Sequence, residues 1–103
     1  MNPFGDPRKL MKQFQQMQTK MQEEISALRV EASSGGGMVT VAMTGEKRIE
    51  SLTIDPEAVN KDDVEMLQDL IVAAINEAQN KVEEELKEKL GAMTGGMQIP
   101  GMF

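Results

Sequence analysis

Arg8, Lys9, Lys12 and Lys20 are the residues whose type and spacing could do chemistry. The first three fall within one helical turn and Lys20 follows two turns on. Gln13, Gln15, Gln16, Gln18 and Thr19 lie among them, with side chains able to hydrogen-bond phosphate as well as water. That chemistry is the neutralisation and positioning of phosphates, with an anionic polymer, DNA first among them, as the ligand. Lys47 and Arg48, at the turn between two strand patterns, offer a second contact of the same kind. The competing reading is a solvated helix face, and charge alone favours it. The chain carries a formal charge of −6, so a local patch acts on a polyanion only where screening, over ~8 Å in physiological salt, hides the rest.

The charge is uneven. Residues 1–30 hold five bases against three acids, whereas residues 55–90 hold four bases against eleven acids. The first helical pattern is thus the only basic element and the last the acidic one.

Other chemistry is hard to place. The chain has no His, Cys, Trp or Tyr, which removes the usual general base near neutrality, the thiolate nucleophile and the soft metal ligands. Gly35–Gly37 leads into a strand pattern and no Gly-Lys-Ser/Thr follows, so it reads as a turn rather than a phosphate cradle. Asp55, Glu57, Asp62, Asp63 and Glu65 lack the spacing of a Ca²⁺ loop, and carboxylates gather at helix starts for capping reasons alone. Glu83-Glu84-Glu85 reads as a solvated face. No catalytic residue, metal site, cofactor or small-molecule substrate is expected.

The elements that must hold the cations are two long helices around a small sheet. Asp6-Pro7 starts a helix, with Asp as cap and Pro at the first position, where no donor is lost. Leu10, Phe14, Met17, Met21, Ile25 and Leu28 then form one apolar stripe, giving a helix over about 6–26. Strands follow at about 27–33, 37–44 and 48–54, with Val39, Val41 and Met43 on one face of theirs and Leu52 and Ile54 on one face of theirs. Asp55-Pro56 opens a short turn over about 56–59. Asn60 caps a long helix over about 61–90, with Asp62 and Asp63 in its first turn and Gly91 as a left-handed cap at its end.

Val64, Leu67, Leu70, Ile71, Ala74, Ile75 and Ala78 give this last helix a broad apolar face. Leu67, Leu70, Ile71, Ala74 and Ile75 are the expected core or dimer seam. The face narrows to Val82, Leu86 and Leu90, as in a projecting arm. Met11, Met17, Met21 and Met66 are expected to fill core gaps, in a chain with only 3% aromatic residues. Residues 92–103, Gly- and Met-rich without period, read as a mobile tail after a single domain over 1–91. So much apolar surface on so thin a frame predicts a homodimer. No apolar window approaches the ~18 residues of a membrane span and no signal peptide is visible, so a cytoplasmic, soluble protein is expected.

Pro-Arg-Lys-Leu-Met-Lys-Gln at 7–13 with Met17 and Met21, Gly-Gly-Gly-Met-Val-Thr-Val at 35–41 and Ile-Asp-Pro-Glu-Ala-Val at 54–59 resemble the YbaB/EbfC family of bacterial nucleoid-associated proteins. So do the run from Asp62 to Ala74 and the Gly-Met tail up to Phe103. The resemblance covers essentially the whole chain and implies an α+β subunit of order α-β-β-β-α, with a three-stranded antiparallel sheet. It further implies a tweezer-like homodimer whose helical arms project from a shared core. Double-stranded DNA is the implied partner, its conformation altered in the service of nucleoid organisation and gene regulation. The family has no compact DNA-reading signature to carry over, so Arg8, Lys9, Lys12, Lys20, Lys47 and Arg48 rest on charge. An adaptor or holdase chaperone gripping proteins with Met-rich arms, on a prefoldin-like plan, is the alternative; an enzyme using carboxylates ranks last.

Overall fold

The computed structural model describes residues 6–93, and the side chains of 6–92. Helix α1 spans Pro7–Ala27, strands β1, β2 and β3 span Arg29–Ser34, Val39–Thr44 and Ile49–Ile54, and helix α2 spans Val64–Met93. One turn of 3₁₀ helix, Pro56–Ala58, joins β3 to α2. The strands form an antiparallel sheet in the order β1-β2-β3. The α-β-β-β-α order is the one expected.

Period-two alternation sets the sheet's two faces. Val30, Ala32 and Ser34 of β1 lie opposite Met43, Val41 and Val39 of β2. Val39, Val41, Met43 and Ala32 are buried beneath α2, which contributes Ala74, Ala78 and Val82 to the same core. Leu67, Leu70, Ile71 and Ile75 pack around that core, half-buried, so the apolar face of α2 is satisfied largely within one chain. Small residues at Ala74 and Ala78 let the helix sit close on β-branched neighbours. The other face of the sheet carries Arg29, Glu31, Ser33, Thr40, Ser51 and Thr53 and is polar, as befits a sheet wet on one side.

Polar ties hold α2 to edge strand β1. Ser34 Oγ donates to Leu70 O at 2.5 Å, and Lys81 Nζ donates to Glu31 O at 2.8 Å. The β1–β2 turn runs through Gly35, Gly36 and Gly37, all with positive φ, and a Cβ on Gly35 would lie 2.8 Å from Leu70 Cδ2. The backbone conformation is what calls for glycine there, and the end of the Leu70 side chain would have to shift for any Cβ at Gly35. A register shift in β3 leaves Glu50 as an extra residue, and its carboxylate takes Arg29 Nε at 2.8 Å. Arg29 Nη1 donates to Ser26 O and Leu28 O, at 2.5 and 2.8 Å, filling carbonyls left open where α1 ends.

Several sequence expectations need correction. Asn60 does not cap α2: its side chain accepts from Asp62 N–H in a separate turn, and Asp63, accepting from Met66 N–H, is the cap. Asp62 and Asp63 therefore precede the helix, which starts at Val64 rather than near 61. Gly91 does not end it either. The helix continues through Gly91 to Met93, and among the described glycines positive φ occurs only at Gly35, Gly36 and Gly37. The first strand begins at Arg29 because α1 runs on to Ala27. Met11, Met17 and Met66 are exposed rather than filling the core, Met21 is half-buried, and among the described residues Met43 is the methionine that is fully buried. Of the expected tail, Ala92 and Met93 are helical and residues 94–103 lie outside the described residues.

Candidate nucleic-acid interface

Helix α1 is an arm. Asp6 accepts from Arg8 N–H at 2.9 Å and Pro7 opens the first turn, so the helix starts where its sequence says it should. Its 21 residues reach ~31 Å at 1.5 Å per residue. None of them is buried, and every residue from Asp6 to Lys20 is exposed. Only the last turns have company: Met21, Glu24 and Ile25 share a cleft with Leu86, Lys89 and Leu90 of α2.

At 3.6 residues per turn, Arg8, Lys12, Gln15 and Thr19 stack along one face, with Lys9, Gln16 and Lys20 beside them. Surface grooves follow the same line, one bordered by Arg8, Met11, Lys12 and Gln15 and another by Lys12, Gln15, Gln16, Thr19 and Lys20. Leu10, Phe14 and Met17 occupy the opposite side. Arg8, Lys9, Lys12 and Lys20 enter no ion pair among the described residues, so four cations stand in water with no carboxylate to satisfy them. Glu23 marks the end of the strip.

The other two predicted cations are elsewhere. Lys47 and Arg48 sit in the β2–β3 turn, at the root of α1 rather than its tip. Lys47 has φ of 62° and its Nζ donates to Glu83 Oε1 at 2.8 Å. That hydrogen bond first, and the Lys47 charge second, hold the Glu83 carboxyl below its ordinary range. Lys47 is therefore a neutralised tie between the turn and α2. Arg48 is exposed and donates only its backbone N–H, to Thr44 Oγ1 at 3.2 Å. One subunit thus brings Arg8, Lys9, Lys12 and Lys20 together and keeps Lys47 and Arg48 apart from them.

Sequence reasoning missed a second exposed surface. Leu52 pairs with Val41 and Ile49 with Met43, which puts both on the α2 side of the sheet. Yet α2 lies over β1 and β2, and Leu52 and Ile49 stay 43% and 47% exposed. On α2, Val72 is 56% exposed. Glu83, three turns beyond Val72 on the same side of the helix, reaches the β2–β3 turn, so Val72 looks toward β3. The bulge at Glu50 breaks the alternation that would have marked Ile49 and Leu52 as one face. Among the described residues no group of acids could hold a metal ion, and no helix is long and apolar enough to cross a membrane.

The sequence profile of the YbaB/EbfC DNA-binding family matches residues 4–97, nearly the whole chain. The chain belongs to the YbaB/EbfC DNA-binding family. Similar proteins carry the name nucleoid-associated protein. That of Alkaliphilus metalliredigens is 52% identical over 97 residues, covering 91% of this chain and 85% of its own. That of Acetivibrio thermocellus is 52% identical over 103 residues, covering 96% and 91%. That of Acidobacterium capsulatum is 50% identical with full coverage of both chains. Among solved structures, the uncharacterized protein HP0035 from Helicobacter pylori superposes with a TM-score of 0.73 at 26% identity, over 91% of this chain and 99% of that one.

Proposed function

We propose that this YbaB/EbfC chain acts as a homodimer in the bacterial nucleoid, where the basic faces of two α1 arms hold double-stranded DNA by its phosphates. The observation that carries the reading is the strip of Arg8, Lys9, Lys12 and Lys20, exposed, without an ion pair among the described residues and backed by Gln and Thr side chains on a projecting helix. The nucleoid-associated names of relatives at about half identity support the same partner. Phosphate contacts position a protein on a duplex without reading its sequence. With four cations per arm, binding is salt-sensitive and weakly selective, and straddling the duplex changes its shape. Nucleoid organisation and an influence on gene expression follow from many such contacts.

The dimer is proposed from the apolar surface left open on the β3 side of α2. Ile49 and Leu52 with Val72 form a face that a second copy of the same chain can cover isologously. Two copies would then direct two basic arms away from one seam.

The test is a salt titration of duplex binding by the purified protein. A straight, steep fall of log affinity against log salt is expected, because each neutralised phosphate releases counterions. A flat response overturns the reading. A second reading, an adaptor or holdase, draws on the exposed Leu10, Met11, Phe14 and Met17. Suppression of client aggregation at high salt, with no duplex retardation at low salt, would favour it.

A further inference from the structure

Phosphate binding makes no use of the apolar side of α1. Leu10, Phe14 and Met17 are 49%, 60% and 58% exposed, yet they continue the line on which Met21 and Ile25 meet Leu86 and Leu90 of α2. The two helices run antiparallel there, with Ile25 and Leu86 near the sheet and Met21 and Leu90 one turn further out. Leu10, Phe14 and Met17 lie further out again, on the part of α1 where every described residue is exposed. From Leu10 through Phe14 and Met17 to Met21 the intervals are 4, 3 and 4 residues, the alternation of a two-helix coiled seam. Met11, Gln13, Gln18 and Lys20 flank that seam, and of these only Lys20 is charged. A stripe with such flanks can accept a copy of itself.

We propose that the tip of α1 pairs antiparallel with the tip of α1 from a second copy of this chain, Leu10 of each against Phe14 of the other. Flanking charge favours this occupant. With Leu10 opposite Phe14, the flanks bring Met11 to Met11 and Gln13 to Gln13, so no like charges meet along the seam. Lys12, at the middle of the overlap, sits with Arg8 and Gln15 on the far side of each helix. Direction follows from the same charges. A parallel pair would set two positive helix N-termini, each with its Arg8 and Lys9, side by side; the antiparallel pair puts them at opposite ends. Room is the third argument. In this register Pro7 of the second copy lies level with Met17, one turn outward of Met21 and its partner Leu90. The second arm thus continues the cover that α2 begins. The overlap takes in ~15 Å of each arm at 1.5 Å per residue. It is isologous, and small beside the ~1,200–2,000 Å² of stable interfaces, so the pairing is weak and concentration-dependent. Both basic faces stay outward, on opposite sides of the pair. The pairing is separate from the duplex reading and from the seam beside β3.

The full chain has no Cys, so single cysteines report contacts between copies by disulfide formation under a mild oxidant. Gln13→Cys should cross-link to itself several-fold faster than Gln16→Cys, which is equally exposed but lies on the basic face. Equal rates at the two positions overturn the proposal. So does faster cross-linking between Gln13→Cys and Gln18→Cys chains in a mixture, which would show a parallel pair. Adding Leu10→Glu and Phe14→Glu should abolish the preference, because the pair would bury unmatched carboxylates. Both side chains are exposed in one subunit, so circular dichroism should show the helix intact; a preference that survives these charges counts against the seam. The preference should also persist, at higher protein concentration, in a Leu52→Glu, Val72→Glu chain. Its loss there would make the contact a consequence of the β3 seam and overturn an independent arm pair. Finally, the chain lacks Trp and Tyr, so Phe14→Trp gives a lone emitter on the stripe. Its emission should shift to the blue as protein concentration rises; a blue shift held at every dilution would assign the cover to the same chain and overturn the pairing.

Discussion

Gly45 lies against the carbonyl of Ile25, so closely that a Cβ on Gly45 would run into that oxygen. The neighbouring hydrogen bond, Gly45 N–H to Leu28 O at 3.1 Å, fixes the β2–β3 turn to the last turn of α1. The obstacle is backbone rather than a flexible side chain, so a larger residue must move α1 relative to the sheet. We expect Gly45→Ala to destabilise the fold by ~1–3 kcal/mol, the usual range for forcing atoms into a filled site. Gly36→Ala is the comparison: nothing lies near its Cβ, but its φ of +67° gives it a smaller cost of ~1–2 kcal/mol from backbone alone. Denaturant melts of the two variants check the order.

Removing the tip cations tests the basic face directly. Arg8→Ala, Lys9→Ala and Lys12→Ala together take three unpaired cations from each exposed arm and leave the core untouched. Duplex affinity at low salt should fall about tenfold or more, and the slope of log affinity against log salt should shallow by ~0.9 for each phosphate no longer neutralised. Sedimentation should show the same assembly as the natural chain. Unchanged gel-shift affinity would move the contact surface elsewhere.

The apolar face beside β3 makes a separate prediction. Leu52→Glu with Val72→Glu puts carboxylates where two copies would otherwise exclude water, and unpaired buried charge is strongly unfavourable. Both side chains are exposed in a single subunit, so its own fold should survive with little change in helical content. Light scattering should report half the natural mass. A variant of unchanged mass would show that copies meet on another face.

Much of this architecture was legible because periodicity and caps speak locally. The stripe from Leu10 to Leu28, the Asp6-Pro7 and Asp55-Pro56 starts and the alternation of Val39, Val41 and Met43 each declare an element without help from distant residues. What was not legible depends on neighbours far along the chain. Asn60 and Asp63 are both good caps, and the choice fell to Asp63 because residues 60–63 turn before the helix begins. Gly91 has the composition of a stop, yet α2 runs two residues past it. The methionines looked like core filler, but α1 leaves the sheet and takes Met11 and Met17 away from any core. At the candidate site, the tip cluster was visible from spacing alone. The neutralisation of Lys47 by Glu83, 36 residues away, was not.

That Lys47–Glu83 pair supplies the last prediction, with its sign set by the carboxylate. Glu83 titrates below its ordinary 4.5 in the folded chain because Lys47 favours the charged form. Unfolding returns it to the ordinary value, so the pair's contribution is fully present above pH 4.5 and disappears as pH falls through the lower folded value. Both side chains are about half exposed, which keeps the contribution small and sensitive to salt. Glu83→Gln should therefore melt slightly below the natural chain at pH 7, and the gap should close on acidification. The same substitution frees the Lys47 ammonium at the root of the arm and removes a negative charge beside it. If duplexes pass near that turn, Glu83→Gln should bind DNA more tightly at low salt, with a steeper salt slope, despite its lower stability. A gel-shift series run beside the melts separates the two effects: a stability loss with no gain in binding would leave Lys47 as a structural tie alone.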